Sequence, residues 1–425
     1  MRYALIGTGA RSAMYYRALY ELEDVRDNNQ LVALLDYNNT RMELVNRELG
    51  LKLPLYKPHQ FEEMVKKERV EGIIVTTRDS DHHYYIIQGL KMGLRVITEK
   101  PMTIDEKKCQ VILDTMEETD SDLIVTFNYR YSPYRSKLKE LLQQDIIGRV
   151  TMVEFHWYLD TIHGADYYRR WHRNKNNSGS LLVHKATHHF DLVNWWLESY
   201  PEKVFALGKK NFYRPETFSP NLRCSSCDMK EDCDFYVDIS ESTGLRKLYQ
   251  DAEHEDGYFR DGCVFSPDIN IWDTRAVTAG YKNGVILSYS LNNYAPYEGY
   301  KVAFIGTKGR IEQDVFETTY MSGQEGEIEE GADKNEVRLE VFPLFDKPYE
   351  VKVEAEGSGH GGGDLRLLKD VFSIERPVDP LRRRAGGVDG AMSILTGVAA
   401  RRSIELGRMV ELDELLDFPG DFFEG

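Results

Sequence analysis

Short apolar runs punctuate the first 128 residues, at Arg2–Ile6, Gln30–Leu35, Gly72–Thr77, 94–98 and 123–127. Val, Ile and Leu dominate them, so each reads as a strand buried on both faces. Residues 12–22, 39–49, 58–68, 82–92 and 105–119 read as helices between those strands. This alternation predicts a doubly wound parallel sheet, the α/β class. The pattern changes after Tyr129. Arg149–Tyr158, Lys203–Phe212, Ala276–Tyr281, Gly284–Asn292 and Tyr300–Gly306 are longer and partly alternating, and Lys282-Asn283-Gly284 is a hairpin signal. Such a sheet buries one face and offers the other to a ligand or a second subunit.

The first strand runs into Gly7-Thr8-Gly9-Ala10-Arg11-Ser12. Gly7 permits a tight turn, Gly9 lets backbone N–H groups approach a pyrophosphate, and the next helix points its positive end there. Ser12 stands where the dinucleotide fingerprint has a third glycine. The second strand ends in Asp36, 24 residues after Ser12, where an acid accepts hydrogen bonds from ribose hydroxyls. A carboxylate there repels a 2′-phosphate, so NAD is expected over NADP. Residues 70–101 read strand, loop, helix and strand, closing on Glu99-Lys100-Pro101. That places an ammonium group at the carboxyl edge of the sheet, where open α/β folds bind ligands.

These motifs carry a resemblance. With GTGARS (7–12), Asp36, TTRDSDHH (76–83), TEKPMT (98–103), FNYRYSP (127–133), SGSLLVHKATHHFD (178–191) and VDGAMSILTGVAARRSIELGRMVEL (388–412), the chain resembles the glucose–fructose oxidoreductase and inositol dehydrogenase (Gfo/Idh/MocA) family over nearly its whole length. The resemblance implies a Rossmann domain over 1–128, then an α+β substrate-binding domain over 129–425 with an open, mainly antiparallel sheet. The residues further suggest a Cys-rich insertion near 215–265 and a C-terminal helix near 388–406 packing back, and a homodimer or homotetramer through the sheet is expected. Implied cofactor contacts are Gly7, Thr8, Gly9, Ala10, Arg11, Asp36, Thr76, Thr77, His82 and Asn128. Glu99 and Lys100 would lie near the nicotinamide ribose and reacting carbon, with Lys100–Pro101 commonly cis.

The densest chemistry is His184-Lys185-Ala186-Thr187-His188-His189-Phe190-Asp191. As a helix, it would set His184, His188 and Asp191 on one face. By resemblance His188 is the catalytic histidine, the second position of a D-x-x-x-H pattern whose first position is here His184. A neutral imidazole cannot supply the charge of a carboxylate. The expected reaction is hydride transfer from a sugar, sugar acid or cyclitol carbinol to NAD. His188 would act as general base and Lys100 would stabilise the alkoxide, with Lys185 as a second cation. The competing reading makes these polar residues a hydrogen-bonded helix start. A His184/His188 metal pair lacks a secure third ligand.

Upstream, Tyr158–Arg173 crowds His163, Tyr167, Arg169, Trp171 and Arg173 into a segment that looks too polar for core. Aromatic faces and arginine forks suit a hydroxyl-rich or acidic sugar. His360, in a glycine-rich turn, is a further candidate substrate contact. Cys224, Cys227, Cys233 and Cys263 have spacing compatible with a structural zinc site, with free thiols or disulfides as alternatives. Glu312–Glu336, rich in acids and glycines, reads as a solvated loop.

The formal net charge of −16 argues against nucleic-acid or anionic-membrane partners. No apolar run reaches the roughly 18–20 residues that span a bilayer, and the chain opens directly into a strand, so a cytoplasmic enzyme is expected. Two alternatives to the dehydrogenase stay open. One is an NAD-dependent glycosidase, lyase or epimerase using transient oxidation without net NADH. The other is a non-catalytic cofactor-binding protein.

Overall fold

The computed structural model describes residues 1–121, 123–214, 222–318, 336–353, 359–373 and 378–416. The first sheet is built from β1 (Arg2–Ile6), β2 (Gln30–Leu35), β3 (Leu55–Tyr56), β4 (Gly72–Val75), β5 (Arg95–Thr98) and β6 (Leu123–Val125). The second contains β7 (Val150–Asp160), β8 (Pro201–Lys209), β9 (Thr274–Tyr281), β10 (Ile286–Ala295), β11 (Glu298–Gly306), β12 (Gly309–Thr318), β13 (Glu336–Pro343) and β14 (Tyr349–Glu350). Late in the chain, β15 (Ala385–Gly386) returns to the first sheet and β16 (Val410–Glu411) completes the second.

Strand order in the first sheet is β15-β6-β5-β4-β1-β2-β3, parallel throughout except for β15. Order reverses between β1 and β4, which is where such sheets open a crevice at their carboxyl ends. The continuous apolar strands follow from burial on both faces. Ala4 and Ile6 enter one core, Tyr3 and Leu5 the other. The second sheet runs β14-β13-β12-β11-β7-β10-β9-β8-β16 and is antiparallel except where β10 pairs with β7.

Two expectations need correction. Glu312–Thr318 is not a loop but most of β12, paired with β11 and β13. Its acids are spread along a strand whose alternate residues Ile311, Gln313 and Val315 are buried. Residues 319–335 lie outside the described residues. The Tyr158–Arg173 segment is not a polar surface: helix His163–Arg169 buries Ala165, Tyr167, Tyr168 and Arg169. Its polar tips are satisfied inside the protein, as when the Tyr168 hydroxyl donates to the Trp272 carbonyl at 2.8 Å.

Helix Ala186–Leu197 and helix Gly387–Leu406 pack together behind the second sheet. Gly397 lets the second of these also approach residues 181–184, since a Cβ there would strike the Leu182 carbonyl. Buried Arg130 ties these pieces together, donating to Asp191 at 2.5 and 2.8 Å and to Asp389 at 2.9 Å.

Candidate active site

The glycine turn sits at the reversal point of the first sheet. Gly7 has φ +91°, and a Cβ there would lie 2.8 Å from the Thr76 backbone, so only glycine fits. Thr76 locks the turn by donating its hydroxyl to the Gly7 carbonyl at 2.6 Å. A Cβ added to Gly9 would meet nothing within 4 Å, leaving open space over the turn. Asp36 reaches back to the turn, accepting from the Thr8 N–H at 2.6 Å and the Thr8 hydroxyl at 2.8 Å. Gly7, Gly9, Ala10, Arg11, Asp36, Thr76 and Thr77 line one cleft of about 460 Å³. A glycine cradle, an open turn and an acid after β2 are what a dinucleotide needs, so these residues fit one.

Glu99 and Lys100 follow β5, and the Lys100–Pro101 bond is cis. Burial opposes the Glu99 charge, but Arg11 and Lys100 outweigh it and hold the carboxyl below its usual range. Glu99 accepts from Arg11 Nε at 2.6 Å and from the Tyr15 hydroxyl at 2.8 Å. Burial pulls the Lys100 ammonium down to about 8, with Glu99 and then Asp79 opposing.

Two of the expected cofactor contacts make polar contacts within the protein. His82 is buried, with Nδ1 2.8 Å from the Pro101 carbonyl and Nε2 3.1 Å from the Thr77 carbonyl. Burial lowers the imidazole pKa, so the neutral ring has one N–H to donate to one of these carbonyls while it packs between the loops that carry them. Asn128 is buried and donates to Asp364 at 2.5 Å.

The SGS turn starts the second half of the site. Gly179 has φ +68° and Ser180 φ +85°, and the Ser180 hydroxyl accepts from Leu182 N–H at 3.3 Å. A short helix, Leu181–His184, ends at Lys185, and the longer helix Ala186–Leu197 then begins. The expected single helical face is therefore split. Asp191 leaves it to pair with Arg130, while His184 and His188 remain in the site region.

His184 meets an acid the sequence reading passed over. Its Nδ1 lies 2.5 Å from Asp79 Oδ2, and both side chains are buried. Burial first, then the Lys100 and Arg170 cations, push the imidazole well below its ordinary value. Burial raises Asp79, with Lys100 the leading opposing influence. Both shifts disfavour an ion pair, so the contact is a neutral hydrogen bond between Asp79 Oδ2 and His184 Nδ1. TTRDSDHH contained Asp79, but nothing local in that motif singles it out.

His188 stacks on Tyr129, ring centroids 4.2 Å apart, with Phe127 edge-on at 6.1 Å. Lys185 donates to the Tyr129 hydroxyl at 3.2 Å and lies 3.9 Å from Glu298. Glu298 also holds His163 Nδ1 at 2.8 Å, and His163 Nε2 sits 2.9 Å from the Tyr167 hydroxyl. Tyr167 and Trp171 both present ring edges to His184, at 5.4 and 5.8 Å.

Arg169 and Arg173 do not join this cluster. Arg169 turns to the Phe235 carbonyl and donates to Cys224 Sγ at 3.4 Å, and Arg173 pairs with Asp268 at 2.7 Å. His360 falls in the first turn of helix Gly359–Phe372, and its side chain lies outside the described residues.

The four clustered cysteines converge in the fold, close enough that Cys224, Cys233 and Cys227 each act on the charge of Cys263. Cys224, Cys227, Cys233 and Cys263 are free thiols lining one cavity of about 390 Å³. Among the described residues no group of three or more His, Cys, Asp or Glu could hold a metal ion. Arg169 Nη1 donates to Cys224 Sγ at 3.4 Å, and the Phe265 N–H approaches Cys263 Sγ at 3.5 Å.

A Rossmann cleft joined to a lysine–histidine cluster on a second, mostly antiparallel domain defines a dinucleotide-binding oxidoreductase. Residues 1–127 match the model of an oxidoreductase family with an NAD-binding Rossmann fold, and 139–412 match that family's C-terminal alpha/beta domain. The chain belongs to this Gfo/Idh/MocA oxidoreductase family. It is 36% identical to the oxidoreductase YteT of Bacillus subtilis (strain 168), over 93% of this chain and 94% of that protein. It is 23% identical to the myo-inositol 2-dehydrogenase of Thermotoga maritima, over 98% of this chain and 100% of that one. An Agrobacterium radiobacter oxidoreductase solved with NAD+, L-tartaric acid and magnesium has the same fold. It covers 98% of this chain and 99% of its own, with a TM-score of 0.64 and 15% identity. Among the described residues no helix is long and apolar enough to cross a membrane.

Proposed function

We propose that the protein oxidises a ring hydroxyl of a sugar, sugar acid or cyclitol in an NAD-dependent reaction. The carrying observation is that Lys100, the Asp79–His184 pair, Lys185 and His188 gather where the first sheet's carboxyl edge meets the second domain. The two-domain reading, 1–128 for cofactor and 129–425 for substrate and assembly, underlies this proposal. NAD, when bound, supplies the hydride acceptor.

A hydroxyl carbon gives up hydride only as its proton leaves. His188, held by its stack on Tyr129, takes that proton. Lys100 stabilises the developing alkoxide by its charge, and partial burial strengthens the effect. Asp79 restores the carboxyl group that the family pattern places at the His184 position, and fixes which His184 nitrogen accepts. Lys185, steered by Tyr129 and Glu298, holds a second substrate oxygen. Tyr167 and Trp171 offer ring edges and a hydroxyl to the substrate. The dehydrogenation of myo-inositol named for the Thermotoga relative fits this substrate class. We further propose a cytoplasmic homodimer or homotetramer assembled through the outer face of the second sheet.

A panel of sugars, sugar acids and inositols with NAD tests the reading, following NADH absorbance and product mass together. NADH formation with one substrate, lost in His188→Ala, supports it; no NADH and no product with any member sinks it. A second reading, transient oxidation in a lyase, epimerase or glycosidase, is favoured by one observation. The Glu298–His163–Tyr167 chain adds proton carriers that a simple alcohol oxidation does not use. Product without NADH would select that reading.

A further inference from the structure

The rim of the cofactor cleft beyond Asp36 is built by a segment of the second domain. Residues 248–258 cross to the glycine turn after β1 and to the helix that follows β2. The Tyr249 hydroxyl accepts from the Ala10 N–H at 3.4 Å, and the Ala252 carbonyl accepts from Asn38 Nδ2 at 2.8 Å. Glu255 sits on the start of helix Asn39–Leu49. It accepts from the Asn39 and Thr40 N–H groups, both at 2.7 Å, and from the Thr40 hydroxyl at 2.6 Å. Asp256 takes Arg41 Nη1 at 2.7 Å, and the Leu248 carbonyl takes Arg41 Nε at 3.0 Å.

In a Rossmann fold, the residues after the second strand decide whether a ribose hydroxyl or a 2′-phosphate is accepted. A phosphate is received by a nearby arginine and by free N–H groups at a helix start. Here the helix N–H groups of Asn39 and Thr40 and Arg41 Nη1 are each engaged by a carboxylate. The other cleft arginines also have carboxylate partners: Arg11 has Glu99 at 2.6 Å, Arg78 has Asp81 at 3.2 Å and Arg170 has Asp166 at 3.2 Å.

We infer that Glu255 and Asp256 act as a built-in anion in the place of a 2′-phosphate, so that this chain admits NAD and excludes NADP. The inference rests on the proposed use of a dinucleotide and extends it, because Asp36 alone does not claim Arg41 or the helix N–H groups. Glu255→Gln and Asp256→Asn keep the shape and remove the charge. They leave a cationic Arg41 and a helix start for the phosphate to use.

Direct binding titrations of NAD and NADP to the full chain, by intrinsic fluorescence or calorimetry, test it. The double variant E255Q/D256N should gain at least about tenfold in NADP affinity, while NAD affinity changes less than about threefold. Adding Arg41→Met to that background should cancel the gain, which a general loosening of the segment would not do. Unchanged NADP affinity in a double variant that still binds NAD would overturn the inference and leave the cofactor reading standing. Equal affinity of the unmodified protein for both dinucleotides would also overturn it. Failure of the unmodified protein to bind either would overturn the cofactor reading itself.

Discussion

Asp79 Oδ2 and His184 Nδ1 lie 2.5 Å apart, although one follows a strand of the first sheet and the other ends a short helix of the second domain. The contact joins the two halves of the candidate site across the cleft. It also places a carboxyl group beside a histidine where the family pattern has a carboxylate in the chain itself.

If Asp79 sets the His184 tautomer, Asp79→Asn should lower kcat by about 10²-fold with little change in KM. The acid limb of the pH profile should move, since the imidazole loses its fixed acceptor nitrogen. A purely structural role would lower the melting temperature and leave the shape of that profile unaltered.

Lys100 titrates at about 8 because burial disfavours its charge. An ammonium that stabilises an alkoxide is lost as pH rises through that value, so kcat/KM should fall between about pH 7 and 9 on an alkaline limb. Lys100→Arg, which stays charged, should remove the limb and cost overall rate. A flat profile to pH 10 in the unmodified enzyme would exclude this role for Lys100.

Gly7→Ala should abolish NAD binding in a titration. The new Cβ has to push the Thr76 backbone, 2.8 Å away, from a φ of +91°. Gly9→Ala provides the contrast: nothing in the protein lies within 4 Å of its Cβ, so the fold should tolerate it. Weakened NAD binding in Gly9→Ala with an unchanged melting temperature would then report a clash with the cofactor alone.

Arg130 is buried against Asp191 and Asp389. Burial raises Asp191 to about 7 even with Arg130 opposing. Arg130→Met should therefore cost about 3–5 kcal/mol in urea unfolding, because it strands a buried carboxylate. Adding Asp191→Asn should recover part of that loss.

Much of the first domain was legible because its signals are local. A strand buried on both faces must be apolar throughout, a glycine with φ +91° cannot be replaced cheaply, and the acid after β2 sits at a fixed distance from the turn. The second sheet was harder to read: β12 carries acids on its outer positions, and those hid the buried alternation of Ile311, Gln313 and Val315. The cysteine spacing did foretell that the four thiols meet, since Cys224, Cys227, Cys233 and Cys263 line one cavity.

By itself, then, the sequence determined the α/β class, the glycine cradle, Asp36, Lys100 and the histidine cluster, all of which lie within single motifs. Only the tertiary structure decided which partners reach them. Asp79 comes to His184 from 105 residues away, Glu298 to His163 from 135, and Glu255 to Thr40 from 215. Such pairings depend on how two sheets and an insertion dock, and docking is set by the summed burial of many side chains rather than by any short pattern.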